Sequence, residues 1–109
     1  MNEKDKNKLL YIAHPYTGDV EANMLKVNTV CNQLLDLGYM IYSPLTMNHP
    51  LHMLKNRDYE VWINLDFEML KRCDVLVLCG NWKESKGCNM ELTWARDLHI
   101  EIAVLEDLL

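Results

Sequence analysis

The run DVLVLC at residues 74–79 most constrains the fold. Its apolar residues do not alternate with polar ones, so both faces of such a strand need cover, as in a parallel sheet with helices on each side. The flanking sequence repeats that demand. LLYIAHPY at 9–16 is a second apolar, β-prone run broken by Pro15, YMIYSP at 39–44 a third ended by Pro44, and IEIAVL at 100–105 a fourth. Between the first two, Val20, Met24, Val27, Cys31, Leu34 and Leu35 recur at helical spacing. Asp19 is placed to cap that helix and Gly38 to stop it. A second helix is expected from a cap at Asp58 through Arg72, with Val61, Leu65, Met69 and Cys73 on one face, and a third from about Cys88 to Leu98. Residues 45–57, with His49, Pro50 and His52, read as an irregular loop.

Strict alternation of strand and helix predicts an α/β fold of the Rossmann or flavodoxin kind, with right-handed crossovers. Ligands of such open sheets bind beyond the carboxyl ends of the strands, here the segments 14–19, 44–57 and 80–88. The chain's 109 residues, half of them hydrophobic, suffice for one domain over 1–109 with a charged tail at 1–8. A net charge of −5 argues against a binder of polymeric nucleic acid, but not against a small anion at a helix N-terminus. No apolar run is long enough to cross a bilayer, no signal peptide is evident, and a cytoplasmic location is expected. Cys31, Cys73 and Cys79 sit in apolar patterns and read as buried free thiols, while Cys88 is a candidate for a lowered pKa at a helix N-terminus. His14, His49 and His52 lack metal-ligand spacing, so neither metal nor cofactor is expected.

The stretch GNWKESKGCNMEL at 80–92 carries the candidate chemistry. Glu91 is expected in the first turn of the third helix, where the helix dipole alone would explain an exposed carboxylate whose removal costs little. It shares a face with Ala95 and Leu98, however, and so can lean over the sheet end. Ser85 and Gly87 offer a hydroxyl and a permissive backbone of the sort that approach a phosphate or sugar oxygen. Asp66, a poor helix former in mid-helix, is either a solvated flank or one of a carboxylate pair with Glu91. Tyr11, in the first strand, is either a core aromatic or a hydroxyl donor to such a carboxylate. Trp82 and Met90 wall an apolar pocket or simply pack.

Three segments, YIAHPYTG at 11–18, DFEMLKRCDVLVLCGNWKESKG at 66–87 and NMELTWA at 89–95, resemble the nucleoside 2-deoxyribosyltransferase superfamily. The similarity is to its small, often phage-encoded members and its deoxynucleoside 5′-monophosphate N-hydrolases. The resemblance implies a four-stranded parallel sheet of order 2-1-3-4 with three main helices. It implies cleavage of the N-glycosidic bond of a 2′-deoxynucleoside or its 5′-monophosphate, by hydrolysis or base exchange. Glu91 then matches the nucleophile, Tyr11 the residue that orients it, and Asp66 the group linked to protonation of the leaving base. Ser85 and Gly87 match positions at the 5′ end of the ligand, a serine there being the pattern of the monophosphate hydrolases. His14, Tyr16, Thr17 and Gly18 in the first loop are expected to bind substrate.

Three positions depart from that pattern. Thr17 stands where the hydrolases carry an arginine for phosphate, His14 replaces a small residue, and Asn89 a glycine. A homodimer or larger homo-oligomer is also implied, its sites often completed by the neighbour's C-terminal segment, for which no clear counterpart is seen. The alternatives are a non-catalytic protein of this fold that binds or sequesters a nucleotide, and an assembly role in which 45–57 is a partner surface.

Overall fold

In the computed structural model, which describes residues 6–109, four parallel strands lie in the order β2-β1-β3-β4. They are β1 (Leu9–Ala13), β2 (Met40–Tyr42), β3 (Val75–Leu78) and β4 (Glu101–Val104). Tyr11 of β1 is in register with Tyr42 on one side and Leu76 on the other, and Leu78 of β3 with Val104. The expected class and strand order are those observed. The first five residues of the expected N-terminal tail lie outside the described residues.

Strand periodicity divides the core into two layers. Leu10, Ile12, Val75 and Val77 face one way and pack with Val27, Cys31 and Leu34 of α1 (Val20–Asp36). Tyr11, Ala13, Leu76 and Leu78 face the other way. They meet Leu70 at the end of α3 (Tyr59–Leu70), and Cys88, Leu92 and Ala95 of α4 (Lys86–Asp97). Each fully buried aliphatic side chain contributes about 1.5–3 kcal/mol. A carboxylate at Val77 would be stranded without a partner in the α1 layer, and that one change is enough to unfold a marginal domain.

The helix ends explain the local chain path. Asp19 caps α1 as expected, its carboxylate accepting from the Ala22 N–H at 3.1 Å. Gly38 follows that helix with φ +92°, a conformation open to glycine at little cost. Asp58 occupies the N-cap position of α3 but makes no side-chain capping bond. Val61, expected on that helix's buried face, is 46% exposed. The inward face of α3 is instead made of Trp62, Ile63 and Asp66, which border a cavity rather than the sheet.

Four α-helices, not three, are present among the described residues. The segment read as an irregular loop is α2 (Pro44–Leu54). Ser43 caps it by accepting the Thr46 N–H, and Pro44 enters at its first turn, where a missing N–H costs nothing. Pro50, inside the helix, forgoes one backbone bond on an exposed face. The strands are also shorter than expected: β1 stops at Ala13, and β2 ends before Ser43 because that residue already belongs to the cap.

Candidate active site

The carboxyl ends of β1 and β3 open into a cavity of about 840 Å³, within the range of sites for small organic ligands. Its walls come from the loop after β1, from α2 and α3 on one side, and from the start of α4 on the other. The most consequential side chain is Glu91. Helix α4 begins two residues earlier than expected, at Lys86, because the Ser85 hydroxyl caps it by accepting the Cys88 N–H at 3.2 Å. Glu91 therefore stands in the second turn, beyond the reach of the dipole argument. Nor is it exposed. The residue is 8% accessible and packs over the sheet end.

Burial of that carboxyl is offset by one donor. The hydroxyl of Tyr11, itself 0% exposed on β1, donates to Glu91 Oε2. Desolvation pushes the Glu91 pKa up to about 8, with the Tyr11 bond opposing the rise and the charge of Asp66 adding to it. Burial, then the two carboxylates, push the Tyr11 phenol far above its ordinary range, so it remains a proton donor throughout neutral pH. Tyr11 does not line the cavity and is joined to it through Glu91.

Asp66 faces the same cavity from α3. Desolvation raises its pKa to about 6, opposed by the side-chain amide of Asn48, which donates to Asp66 Oδ1 at 2.8 Å. The sequence reading missed Asn48 entirely. The signal was present, since Leu45, Asn48, His49 and His52 recur at i, i+3, i+4 and i+7 and all border the cavity. An inward face built of polar residues does not register as an amphipathic stripe.

Of the other expected site residues, His14, Tyr16, Thr17, Gly18, Ser85 and Gly87 all line the cavity. Gly18 holds φ +108°, which sharpens the turn into α1. Tyr16 is tied across to α2 through a 2.8 Å bond between its hydroxyl and His49 Nδ1. Met90 lines the cavity, whereas Trp82 packs into the α4 layer of the core. Cys88 contradicts its expectation: burial lifts the thiol to about 11 rather than the helix N-terminus lowering it. The other three cysteines are buried and free, and burial raises each of them as well. Asn89 clamps the turn before α4, its amide donating to the carbonyls of Trp82, Lys83 and Ser85 at 3.2, 3.0 and 2.8 Å. Among the described residues, no group of three or more His, Cys, Asp or Glu side chains is placed to hold a metal ion. No helix there is long and apolar enough to cross a membrane.

The family model described as Domain of unknown function (DUF4406) matches residues 8–104. The chain belongs to the DUF4406 family. By sequence, no curated protein matches it. Among solved structures, this DUF4406 domain is similar to a 2-deoxyribosyltransferase from the psychrotolerant bacterium Bacillus psychrosaccharolyticus, with TM-score 0.68 and 21% identity over 88% of this chain and 70% of that one. It is also similar to a 2-deoxyribosyltransferase from Leishmania mexicana, with TM-score 0.66 and 19% identity over 89% of this chain. The domain spans 63% of the length of that second protein. At these identities the likeness is one of fold, and the fold is the one that the motif resemblance implied.

Proposed function

We propose that this protein cleaves the N-glycosidic bond of a 2′-deoxynucleoside or its 5′-monophosphate, by hydrolysis or base exchange, with Glu91 as nucleophile. The buried Glu91 carboxyl, held by the Tyr11 hydroxyl and facing a cavity that Asp66 shares, carries this reading. The fold shared with two 2-deoxyribosyltransferases agrees with it.

Departure of a base leaves positive charge on the deoxyribose and requires a proton on the base. The two carboxyls meet both needs when they hold one proton between them. Their pKa values, raised to about 6 at Asp66 and about 8 at Glu91, make that one-proton form dominant near neutrality. In the free protein the proton is held more tightly at Glu91. Charge developing at C1′ favours an ionised Glu91, leaving the proton on Asp66 for the leaving base. Glu91 then bonds to C1′ as the C1′–N bond breaks. Water or a second base displaces the carboxylate and regenerates the site.

Incubation with each deoxynucleoside and its 5′-monophosphate, followed by chromatography for free base, tests the reading. Release from at least one substrate is expected, with none above background from Glu91→Gln. A deoxyribosyl adduct on Glu91 in the intact mass of quenched enzyme identifies the covalent route. Undiminished release from Glu91→Gln would refute it.

A further inference from the structure

One wall of the cavity is held to the domain only at its two ends. Residues 55–58 join α2 and α3 into a hairpin, and no residue from 49 to 69 is buried. At the start of α2 the Thr46 hydroxyl donates to Asn28 Oδ1 of α1 at 2.6 Å, and Asn48 is buried. At the end of α3 Leu70 is buried, and Phe67 meets Trp94 of α4 edge to face, their ring centres 5.1 Å apart. The Asn48–Asp66 bond clasps the two legs together, and the Tyr16–His49 bond ties one leg to the loop after β1. Beyond these points the attachment stops. Among the described residues, no hydrogen bond, ion pair or ring contact joins 50–65 to anything outside α2, α3 and the turn between them.

Within itself the hairpin tip is well tied. Arg57 Nη1 donates to the Leu51 and Lys55 carbonyls, each at 3.2 Å. Its guanidinium lies 5.7 Å from the centre of the Trp62 ring, against which His52 stands edge-on. The tip can therefore move as one piece. Pro50 marks where one leg bends, because it offers no N–H to the carbonyl one turn back in α2. His52, Tyr59, Trp62 and Ile63 of the tip border the cavity.

Two observations set the balance between a shut and an open tip. Leu51, Met53, Leu54 and Val61 are already exposed, so lifting the tip uncovers little further apolar surface. His52 Nδ1 and Trp62 Nε1 are closed off from water without a hydrogen-bond partner. The shut form bears that cost, and water relieves it on opening.

We infer that residues 50–65 are a cap, which opens to admit a ligand to the Glu91–Asp66 end of the cavity and shuts over it to exclude water. The cap goes beyond the proposed function, and only the identity of the ligand rests on that reading. Glu91 stands on α4, outside the hairpin, and Asp66 at the clasp, so the carboxyl pair keeps its place while the cap moves.

Amide hydrogen exchange of the free protein, read by mass spectrometry, tests the cap without any ligand. Residues 50–65 should exchange at least roughly 100-fold faster than the middle of α1 or β3. Trp62→Phe keeps a ring beside His52 and Arg57 but removes the N–H that has no partner. Exchange of the tip should then slow by roughly 5- to 100-fold, the scale of one unpaired buried donor. Trimming a side chain that merely packs would do the opposite. Pro50→Ala, on an exposed face, restores the missing helix bond and should also slow the tip, which keeps the test decisive if the first variant fails to fold. Wild-type protection of the tip equal to that of α1 overturns the cap, as does faster or unchanged exchange in both variants. Protection that grows with protein concentration overturns it too, by making the tip a contact between copies. Glu91→Gln, expected to bind without turnover, is then given each 2′-deoxynucleoside and its 5′-monophosphate. Slower exchange of the tip with at least one of them supports closure over the ligand. A fast tip that is slowed in Trp62→Phe, but by no nucleoside or nucleotide, supports the cap and counts against the proposed function.

Discussion

Tyr11 and Glu91 lie 80 residues apart in the chain and meet in the core, the phenol hydroxyl donating to the carboxylate. Tyr11→Phe removes that donor with little change of shape, and the Glu91 pKa should rise further because the Tyr11 bond is what opposes desolvation. Less of Glu91 is then ionised at neutral pH. Base release should fall roughly 10- to 100-fold at pH of about 7, the scale of one hydrogen bond to a charged group. Its pH optimum should move upward. Rates measured from pH of about 5 to about 9 check both effects.

The shared proton predicts a bell-shaped profile for the unaltered protein. In the proposed cleavage, both carboxyls being protonated below about pH 6 would leave no nucleophile, and both being ionised above about pH 8 would leave no acid. kcat/KM for base release should therefore peak between those limbs. A profile flat across that span would show that the pair does not control the rate.

Glu91 also links stability to pH, and in an uncommon direction for a carboxylate. Its folded pKa of about 8 lies above the ordinary 4.5, so between those values the folded state binds more protons than the unfolded state. Stability should be fully present below the lower value and fall as pH rises through the upper one. Asp66 acts in the same sense between 3.8 and about 6. Glu91→Gln should flatten the slope and melt higher than the unaltered protein at pH of about 8.5, by on the order of 5 °C. Thermal unfolding of both proteins across this range reads the effect.

Asn48→Leu should act on Asp66 directly and on Glu91 only through the charge of Asp66. With its amide donor gone, the Asp66 carboxyl rises above its pKa of about 6, because that bond is what holds it down. The expected outcome is base release slower by up to roughly tenfold on the acidic limb alone, with that limb displaced upward, the scale of one hydrogen bond to a charged group. Titration of the Asp66 carboxyl by NMR reports the shift directly.

Asn89→Gly should cost about 1–3 kcal/mol, since one side chain supplies three bonds to the turn at Trp82, Lys83 and Ser85 and glycine weakens the helix. The denaturation midpoint should fall with an unchanged slope.

The parallel sheet was legible because DVLVLC is apolar on both faces, and the strand order followed from the resemblance. Glu91, Asp66 and Tyr11 were legible as a group for the same reason, although their environments were not. Glu91 was placed in the first turn, either exposed or leaning over the sheet end, because Ser85 looked like loop, whereas its hydroxyl starts the helix. Helix α2 escaped notice because it turns Asn48, His49 and His52 toward the cavity and carries two prolines. A segment whose inward face meets ligand space has no hydrophobic period to betray it. His14 was legible as a departure and as a substrate-binding position, but its burial and its bond to Pro15 depend on the loop that follows it.

The strand order has a consequence for folding. Tyr11 comes from β1, Asp66 from α3 and Glu91 from α4, so the pair at the centre of the site forms only after the second crossover has docked its strand beside the first. Parallel pairings of such sequence separation carry a large loop-closure cost and form late. The carboxyl of Glu91 is covered only once α4, which follows β3 in the chain, packs over the sheet end. The proposed base release should therefore return on refolding with the slowest phase, after most of the helix signal has recovered.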